Sequence, residues 1–421
     1  MRKMKDSGIE WIGEIPEGWE VVPVKRLCTM QAGKNLTSEQ IAPEGTYPVY
    51  GGNGIRGFFS DYNCDGQFLT VGRQGALCGN VHKINGKVWA TEHAVITTPS
   101  SYTILDFLYF LLIGMDLNQY VSSTAAQPGL AVGTLLNLKT CYPCSTLEQT
   151  QISNYLNAKC SEIDIMLTKT RSSIEEYKKL KQAVITQAVT KGVRGEREMK
   201  DSGVEWIGEI PKTWIISNIG RFCFVTKLAG FEYTKEMDGH ISPYGDVPIV
   251  RAQNIKMGRF IPNTREYISL ALSQKLSRCA LNEKCLIITF IGAGIGEVAL
   301  FSDATRHHLA PNVAKIVINH DMKQFLDDRF LLYFLMSSAG QEEVNKIKKA
   351  TAQPSLSMQT IRSIKLAFPS TLQEQKEIAD FLDAKCAEID RLIAKKEQLV
   401  KELEGYKKSL IYEVVTGKRE V

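Results

Sequence analysis

EQTQISNYLNAKCSEID at residues 148–164 returns as EQKEIADFLDAKCAEID at residues 374–390, and the offset of 226 holds without a gap from 126–194 to 352–420. From its middle an apolar seam runs Leu156, Cys160, Ile163, Leu167, Thr170, Ile174, Tyr177, Lys181, Val184 and Ala188, in alternating steps of four and three. That rhythm keeps one stripe on one side of a helix and predicts a coiled coil of about five heptads, roughly 50–60 Å long. The second copy preserves the stripe as Leu382, Cys386, Ile389, Ile393, Lys396, Val400, Leu403, Lys407, Leu410 and Val414, including its polar breaks. These seam residues are read as the surface that holds the helices together.

Working outward, a second repeat appears at another offset. MKDSGIEWIGEIPEGW (4–19) matches MKDSGVEWIGEIPKTW (199–214) at an offset of 195. AQPGL from Ala126 matches AQPSL from Ala352, and Pro143 matches Pro369. Both ends of each half are therefore shared, whereas the inserts at 20–125 and 215–351 differ in length by 31 residues and show little identity. So long a period indicates a duplicated domain rather than a solenoid. Two like halves that associate through a self-complementary patch acquire a two-fold axis, which makes paired helices antiparallel and sends the inserts to opposite ends. The predicted fold class is α+β: two α/β recognition domains alternating with two long helices paired as an antiparallel coiled coil, in a pseudo-two-fold duplication. The divisions fall at 1–146, 147–194, 195–371 and 372–421. Unlike inserts on one frame suit an asymmetric two-part DNA site, as dimeric repressors suit palindromes.

Composition sets bounds on this reading. The 421 residues allow two to four domains with substantial cores. No signal-peptide stretch or long apolar run occurs, which predicts a cytoplasmic chain that does not enter a membrane. Ten cysteines in that setting read as reduced thiols. A net charge of +5 permits a nucleic-acid partner without demanding one.

The duplicated DSGxEWIGEIPxxW leaders, the AQP(G/S)L turns, the proline followed by EQxxIxxxL and the closing SLIYEVVTGK from Ser409 together resemble the specificity subunits of type I restriction-modification systems. The resemblance spans essentially the whole chain. It implies that each insert is a target-recognition domain, that the helices space the two and dock two methyltransferase subunits, and that restriction and translocase subunits join them on double-stranded DNA. It also implies no catalytic centre here, with S-adenosylmethionine, ATP and magnesium held by partner subunits. Helix length would then act as a ruler over an unread spacer.

Each insert offers readers of bases. The first, YPVYGGNGIRGFFSDYNCDGQFLTVGRQGALCGN from Tyr47, sets Asn53, Arg56, Arg73 and Gln74 among glycines. Arginine pairs bidentately with guanine, asparagine and glutamine pair with adenine, and glycine lets a loop approach closely. The second, VPIVRAQNIKMGRF from Val247, is an apolar strand running into Arg251, Gln253, Asn254, Lys256 and Arg259. Arg278, Lys284, Arg306, His307, His308 and the lysines at 346, 348 and 349 are weaker candidates for phosphate contacts.

Rival chemistries fit less well. Cys141 and Cys144 form a CxxC, but their repeat partners are Ala367 and Ser370, so the shared frame carries no metal or redox pair. Gly292, Gly294 and Gly296 give GxGxG rather than a dinucleotide fingerprint. Gly75 and Gly79 before Val81 parallel Gly292 and Gly296 before Val298, which predicts a shared strand–turn–strand feature. The triplets Asp321-Met-Lys323 and Glu374-Gln-Lys376 are too short to define a nuclease, and Glu374 suits a helix start. Trp11 and Trp206 in the leaders are read as packing residues. The competing class is a non-catalytic adaptor whose helices bridge proteins without reading DNA. It does not explain why the inserts diverge while the frame is kept.

Overall fold

The computed structural model describes residues 2–74, 78–121, 129–350 and 354–421, with the side chains of 343 and 347–350 left out. Ala126, Gln127 and Pro128 of the first AQP turn, Ala352 and Gln353 of the second, and Gly75 lie outside the described residues. Two compact units form, Met1–Ser172 with Lys396–Val421, and Ser173–Lys395. The divisions therefore fall inside the two long helices, Thr146–Lys191 and Leu372–Val415.

Within each unit a stretch of one long helix lies against a stretch of the other. In the first unit Asp164 meets Lys407 at 2.7 Å and Arg171 meets Glu404 at 2.5 Å. A step forward along one helix is matched by a step back along the other, so the pairing is antiparallel. In the second unit Lys181 meets Asp390 at 2.7 Å. The two polar breaks at Lys181 and Lys407 are thus cross-helix ion pairs. Such partly exposed pairs contribute about 0–1 kcal/mol each and set register more than stability. The apolar seam positions carry the packing. Leu156, Ile163, Leu167, Ile174, Leu382 and Ile389 are buried, while Tyr177, Ile393, Val400 and Leu403 are half-buried. Ile152, Leu156, Cys160, Ile163 and Leu167 share the first unit's core with Leu410, Ile411, Val414 and Val415. Ile185, Ala188 and Val189 share the second unit's core with Ile378, Leu382 and Cys386.

Although the inserts share little sequence, they build the same four-stranded sheet. In the first unit an antiparallel sheet runs Cys28–Ala32, Ala94–Pro99, Gln67–Gly72, Val81–Asn85. In the second the order is Cys223–Lys227, Val313–Ile318, Cys285–Thr289, Val298–Phe301. Cys285–Thr289 is apolar on both faces because both are covered. Leu286 and Ile288 point to the core containing Phe330 and Phe334 of the helix Asp328–Met336, whereas Cys285 and Ile287 point to a separate core with Val247, Ile249 and Phe301. Asp327 starts that helix by accepting from the amides of Arg329 and Phe330. A second sheet, three-stranded in the first unit and four-stranded in the second, holds a parallel pair, Tyr47–Gly51 with Trp89–Ala90 and Val247–Val250 with His307–Leu309.

The shared ends lock each insert to its helix. Trp19 and Trp214 are almost wholly buried, and their Nε1 atoms donate to Glu148 and Glu374 at 3.2 Å. Arg2 and Arg197 donate to the same two carboxylates at 2.6 Å. Gln149 and Gln375, fully buried, each donate to two backbone carbonyls and accept one amide: Tyr102, Pro143 and Ile104 in one case, Phe325, Pro369 and Asp327 in the other. The repeated EQ is therefore a clamp whose glutamine is fully buried in both copies. In the leaders, Trp11 packs half-buried beside Tyr412, whose hydroxyl donates to the Trp11 carbonyl at 2.8 Å. Trp206 packs on the second core under the ammonium of Lys346, 3.5 Å from the ring centroid.

Candidate nucleic-acid interface

In the first unit several loops converge at one end of the parallel pair. The Thr91 amide donates to the Tyr50 carbonyl at 2.9 Å, which places the turn 91–93 beside Gly52 and Asn53. The hairpin linking Gln67–Gly72 to Val81–Asn85 closes through Gly79, at φ +92°, whose amide donates to the Gly72 carbonyl at 2.8 Å. A Cβ on Gly79 would stand 2.9 Å from the Asn118 nitrogen, so both dihedral and space require glycine. Arg73 donates its amide to His93 O at 2.9 Å and accepts from Leu130 at 2.9 Å, and Gln74 bridges to Gly129. The described end of the AQPGL motif is thus pinned beside Arg73 and Gln74. Asn80 donates to Asn53 Oδ1 at 2.9 Å. Asn53 and Arg56 are exposed, and Arg73 and Gln74 half-buried.

The second unit repeats this platform with other side chains. Ala310 donates to Val250 O at 2.9 Å, Phe290 to Asn312 O at 3.1 Å, Leu356 to Phe290 O at 2.8 Å, and Ile291 bridges to Ser355. By register, Gln253 stands where Asn53 stands in the first unit. Gly296, at φ +88°, closes the matching hairpin, with its amide donating to Thr289 O at 2.9 Å. The parallel between Gly79 and Gly296 read from the sequence is a shared hairpin. Gln253, Lys256 and Arg259 are exposed, and Lys256 and Arg259 face each other across a two-residue ladder. Lys256 also meets Glu297 of the hairpin turn at 3.4 Å, as Asn53 meets Asn80.

Several sequence-based candidates do not belong to an exposed face. Asn254 is 2% exposed; its Oδ1 accepts from the Arg251 amide at 2.9 Å and its Nδ2 donates to the Ile261 and Asn263 carbonyls at 3.0 and 2.9 Å. It braces the loop and is corrected from reader to scaffold. Arg251 is not a free reader either, because its guanidinium is bound to Glu266. That contact, against the opposing pull of burial, raises its pKa above the ordinary arginine value. His307 and His308 are buried in their strand, and burial pushes the His308 pKa down despite backbone hydrogen bonds. Arg306 is spent on Ser273, Arg278 on Glu232 and Thr226, and Lys284 on Asp328. The side chains at 348 and 349 lie outside the described residues. Conversely, residue-by-residue reading missed Asn80, Glu297 and the turn 91–93, because only the strand pairing brings them to the platform.

Cys141 is fully buried in the strand Lys139–Pro143 while Cys144 is exposed. Burial pushes the thiols of Cys28, Cys141, Cys223 and Cys285 up to about 12. Among the described residues no three His, Cys, Asp or Glu side chains gather as a metal site, and no helix is long and apolar enough to cross a membrane.

A duplicated frame that carries the same polar platform twice, with different side chains, defines a two-headed recognition protein. The family described as Type I restriction modification DNA specificity domain matches the chain over residues 16–176 and 211–402, and the chain belongs to that family. Membership makes it a non-catalytic DNA specificity subunit. It is 45% identical over 121 residues to the Type I restriction enzyme EcoprrI specificity subunit of Escherichia coli, a match covering 28% of this chain and 30% of that protein. It is 23% identical over 424 residues to the MjaVIII specificity subunit of Methanocaldococcus jannaschii, covering 96% and 93%. Among solved structures, a chain from a type I R-M system superposes with a TM-score of 0.70 at 12% identity, covering 96% of this chain and 99% of that one. The HsdS subunit from Thermoanaerobacter tengcongensis gives a TM-score of 0.50 at 13% identity, covering 98% and 100%.

Proposed function

We propose that this chain reads a bipartite, asymmetric site on double-stranded DNA, each unit contacting one half, and brings two methyltransferase subunits, with restriction and translocase subunits, to that site in the cytoplasm. The observation that carries the reading is the repeated platform. A shared parallel pair and hairpin present Asn53, Arg73 and Gln74 in the first unit and Gln253 in the second, while Arg56 on its own strand and the Lys256–Arg259 ladder extend the two platforms differently. Like scaffolds with unlike side chains select unlike half-sites, since arginine favours guanine and the amides favour adenine. The seam residues are turned inward, so partner docking would use the outer helix faces, where Ile165 and Met166 are 53% and 52% exposed. S-adenosylmethionine, ATP and magnesium belong in this reading to the partner subunits.

The test is base-resolution methylome sequencing of cells expressing the chain with its cognate methyltransferase, against cells lacking the chain. A single chain-dependent bipartite motif with adenine methylated in both halves is the expected result. A stable complex with no chain-dependent motif would favour the adaptor reading.

A further inference from the structure

Inside the inserts one short stretch does repeat. Ile41, Pro43, Gly45 and Pro48 return as Ile241, Pro243, Gly245 and Pro248 at a constant offset of 200. Both copies fold alike. Ala42 and Phe58 exchange backbone hydrogen bonds at 3.0 and 2.8 Å, and Ser242 and Tyr267 do so at the same two distances. Phe58 is registered with Pro48, and Tyr267 with Pro248. A Cβ on Gly45 would stand 2.9 Å from Phe58 Cβ, and one on Gly245 would stand 2.8 Å from Tyr267 Cβ. Phe58 and Tyr267 are therefore equivalent, and so are the residues two places before them, Arg56 and Arg265.

Both arginines lie beside the amide residue of their platform. In the first unit the ladder pairs Val49 with Gly57 and Tyr50 with Ile55, which leaves Arg56 as the extra residue of a bulge, a feature that re-aims a side chain. Its stem lies across Gly51, where a Cβ would collide with it, next to Gly52 and Asn53. In the second unit the connection is longer, and Asn254 draws it back by donating to the carbonyls of Ile261 and Asn263. That brace brings Arg265 into one cleft with Gln253 and Asn263. Arg56 and Arg265 are exposed, and among the described residues neither guanidinium has an ion pair or a hydrogen bond. Arg265 lies beyond the stretch that ends at Phe260, and only the strand pairing returns it to Gln253.

The other matched positions of the two platforms differ: Asn53 against Gln253, Arg73 against Phe290, Gln74 against Ile291 and Asn80 against Glu297. Side chains that select unlike half-sites have to differ. One that stays the same meets what the half-sites have in common, and any two stretches of duplex share the phosphate backbone. A guanidinium fork matches phosphate oxygens, and such contacts fix register without carrying sequence. We infer that Arg56 and Arg265 are positioning residues, each holding a backbone phosphate at the same point of its half-site. This rests on the proposed DNA-reading role, and it separates the residue that anchors the duplex in each platform from those that read it.

The experiment measures duplex binding by the complex of this chain with its methyltransferase over a range of salt, together with the methylome motif, for wild type, Arg56→Ala, Arg265→Ala, Arg56→Lys and Arg265→Lys. Each alanine variant should keep the wild-type motif in both half-sites and lose affinity for cognate and unrelated duplex by the same factor. Losing one phosphate contact makes the plot of log affinity against log salt shallower by about one, so from about 50 to about 200 mM salt the variant should lose about threefold less affinity than wild type. The lysine variants, which keep the positive charge, should restore the slope. Should an alanine variant fail to assemble with the methyltransferase, Arg56→Gln and Arg265→Gln, uncharged and of similar length, carry the test with the same expectations. A motif relaxed at one base position would make the arginines base readers, and an unchanged salt slope would leave them off the DNA; either result overturns the inference and leaves the DNA-reading role standing. A wild-type complex that directs no motif and binds no duplex would overturn both.

Discussion

Replacing Gln149 by alanine tests whether the duplicated EQ is the clamp between recognition fold and helix. The side chain is fully buried and makes three hydrogen bonds, to Tyr102 O at 3.2 Å, to Pro143 O at 3.0 Å and from Ile104 N at 2.8 Å. At about 1 kcal/mol net per lost bond, with the Pro143 carbonyl then left buried and unpaired, the substitution destabilises the first unit by about 3 kcal/mol. Gln149→Glu is at least as harmful, because it keeps an acceptor for Ile104 but turns a second acceptor toward two carbonyls. A chain of two units need not unfold in one step, so native-state hydrogen–deuterium exchange is the suitable assay. The Ile104 amide should lose roughly a hundredfold in protection, and peptides of the second unit should not change. Gln375→Ala should mirror this at the Asp327 amide. Unchanged protection at Ile104, or a stability loss below about 1 kcal/mol, would refute the clamp.

Neighbouring amides in the second unit should behave oppositely. Gln253→Ala should leave the fold intact and weaken selection at one position of one half-site by about 1–3 kcal/mol, whereas Asn254→Ala should lower thermal stability, since three bonds inside the loop are lost. In Gly79→Ala a methyl group would press on Asn118 N at a left-handed φ. A loss of about 1–2 kcal/mol from the dihedral alone is expected in chemical denaturation, and none would place the hairpin differently. With a maleimide at neutral pH, exposed Cys144 should react first in mass-spectrometric mapping. Cys28, Cys141, Cys223 and Cys285, whose thiols burial raises to about 12, should react only after unfolding. Their thiolate is scarce at any working pH below that value, so raising the pH from 7 to 8 should leave them protected.

The helical frame was legible because its signal is periodic. Every apolar seam residue from Leu156 to Leu403 is buried or half-buried, and even Lys181 and Lys407 proved to be cross-helix ion pairs rather than gaps. The matched hairpin glycines were legible because a positive φ leaves few residue choices. The recognition face was legible only in part. Gln253 and Asn254 are chemically alike and adjacent, yet one is exposed and the other is folded under the turn as its brace. His307 and His308 read as candidate phosphate contacts, but the His307 ring packs against Phe260 and Phe301 and the His308 ring is held by the Leu276 and Leu309 carbonyls. The turn 91–93 escaped notice because its place is set by a parallel pairing with a strand some 40 residues earlier, and neither charge nor periodicity marks such a contact.

The central claim, that one frame holds two independent readers, is tested most directly by a chain in which residues 215–351 are replaced by residues 20–125, both junctions lying in repeated sequence. Methylome sequencing of cells expressing it with the methyltransferase should return a motif carrying the first half-site twice. Retention of the second half-site would contradict the account.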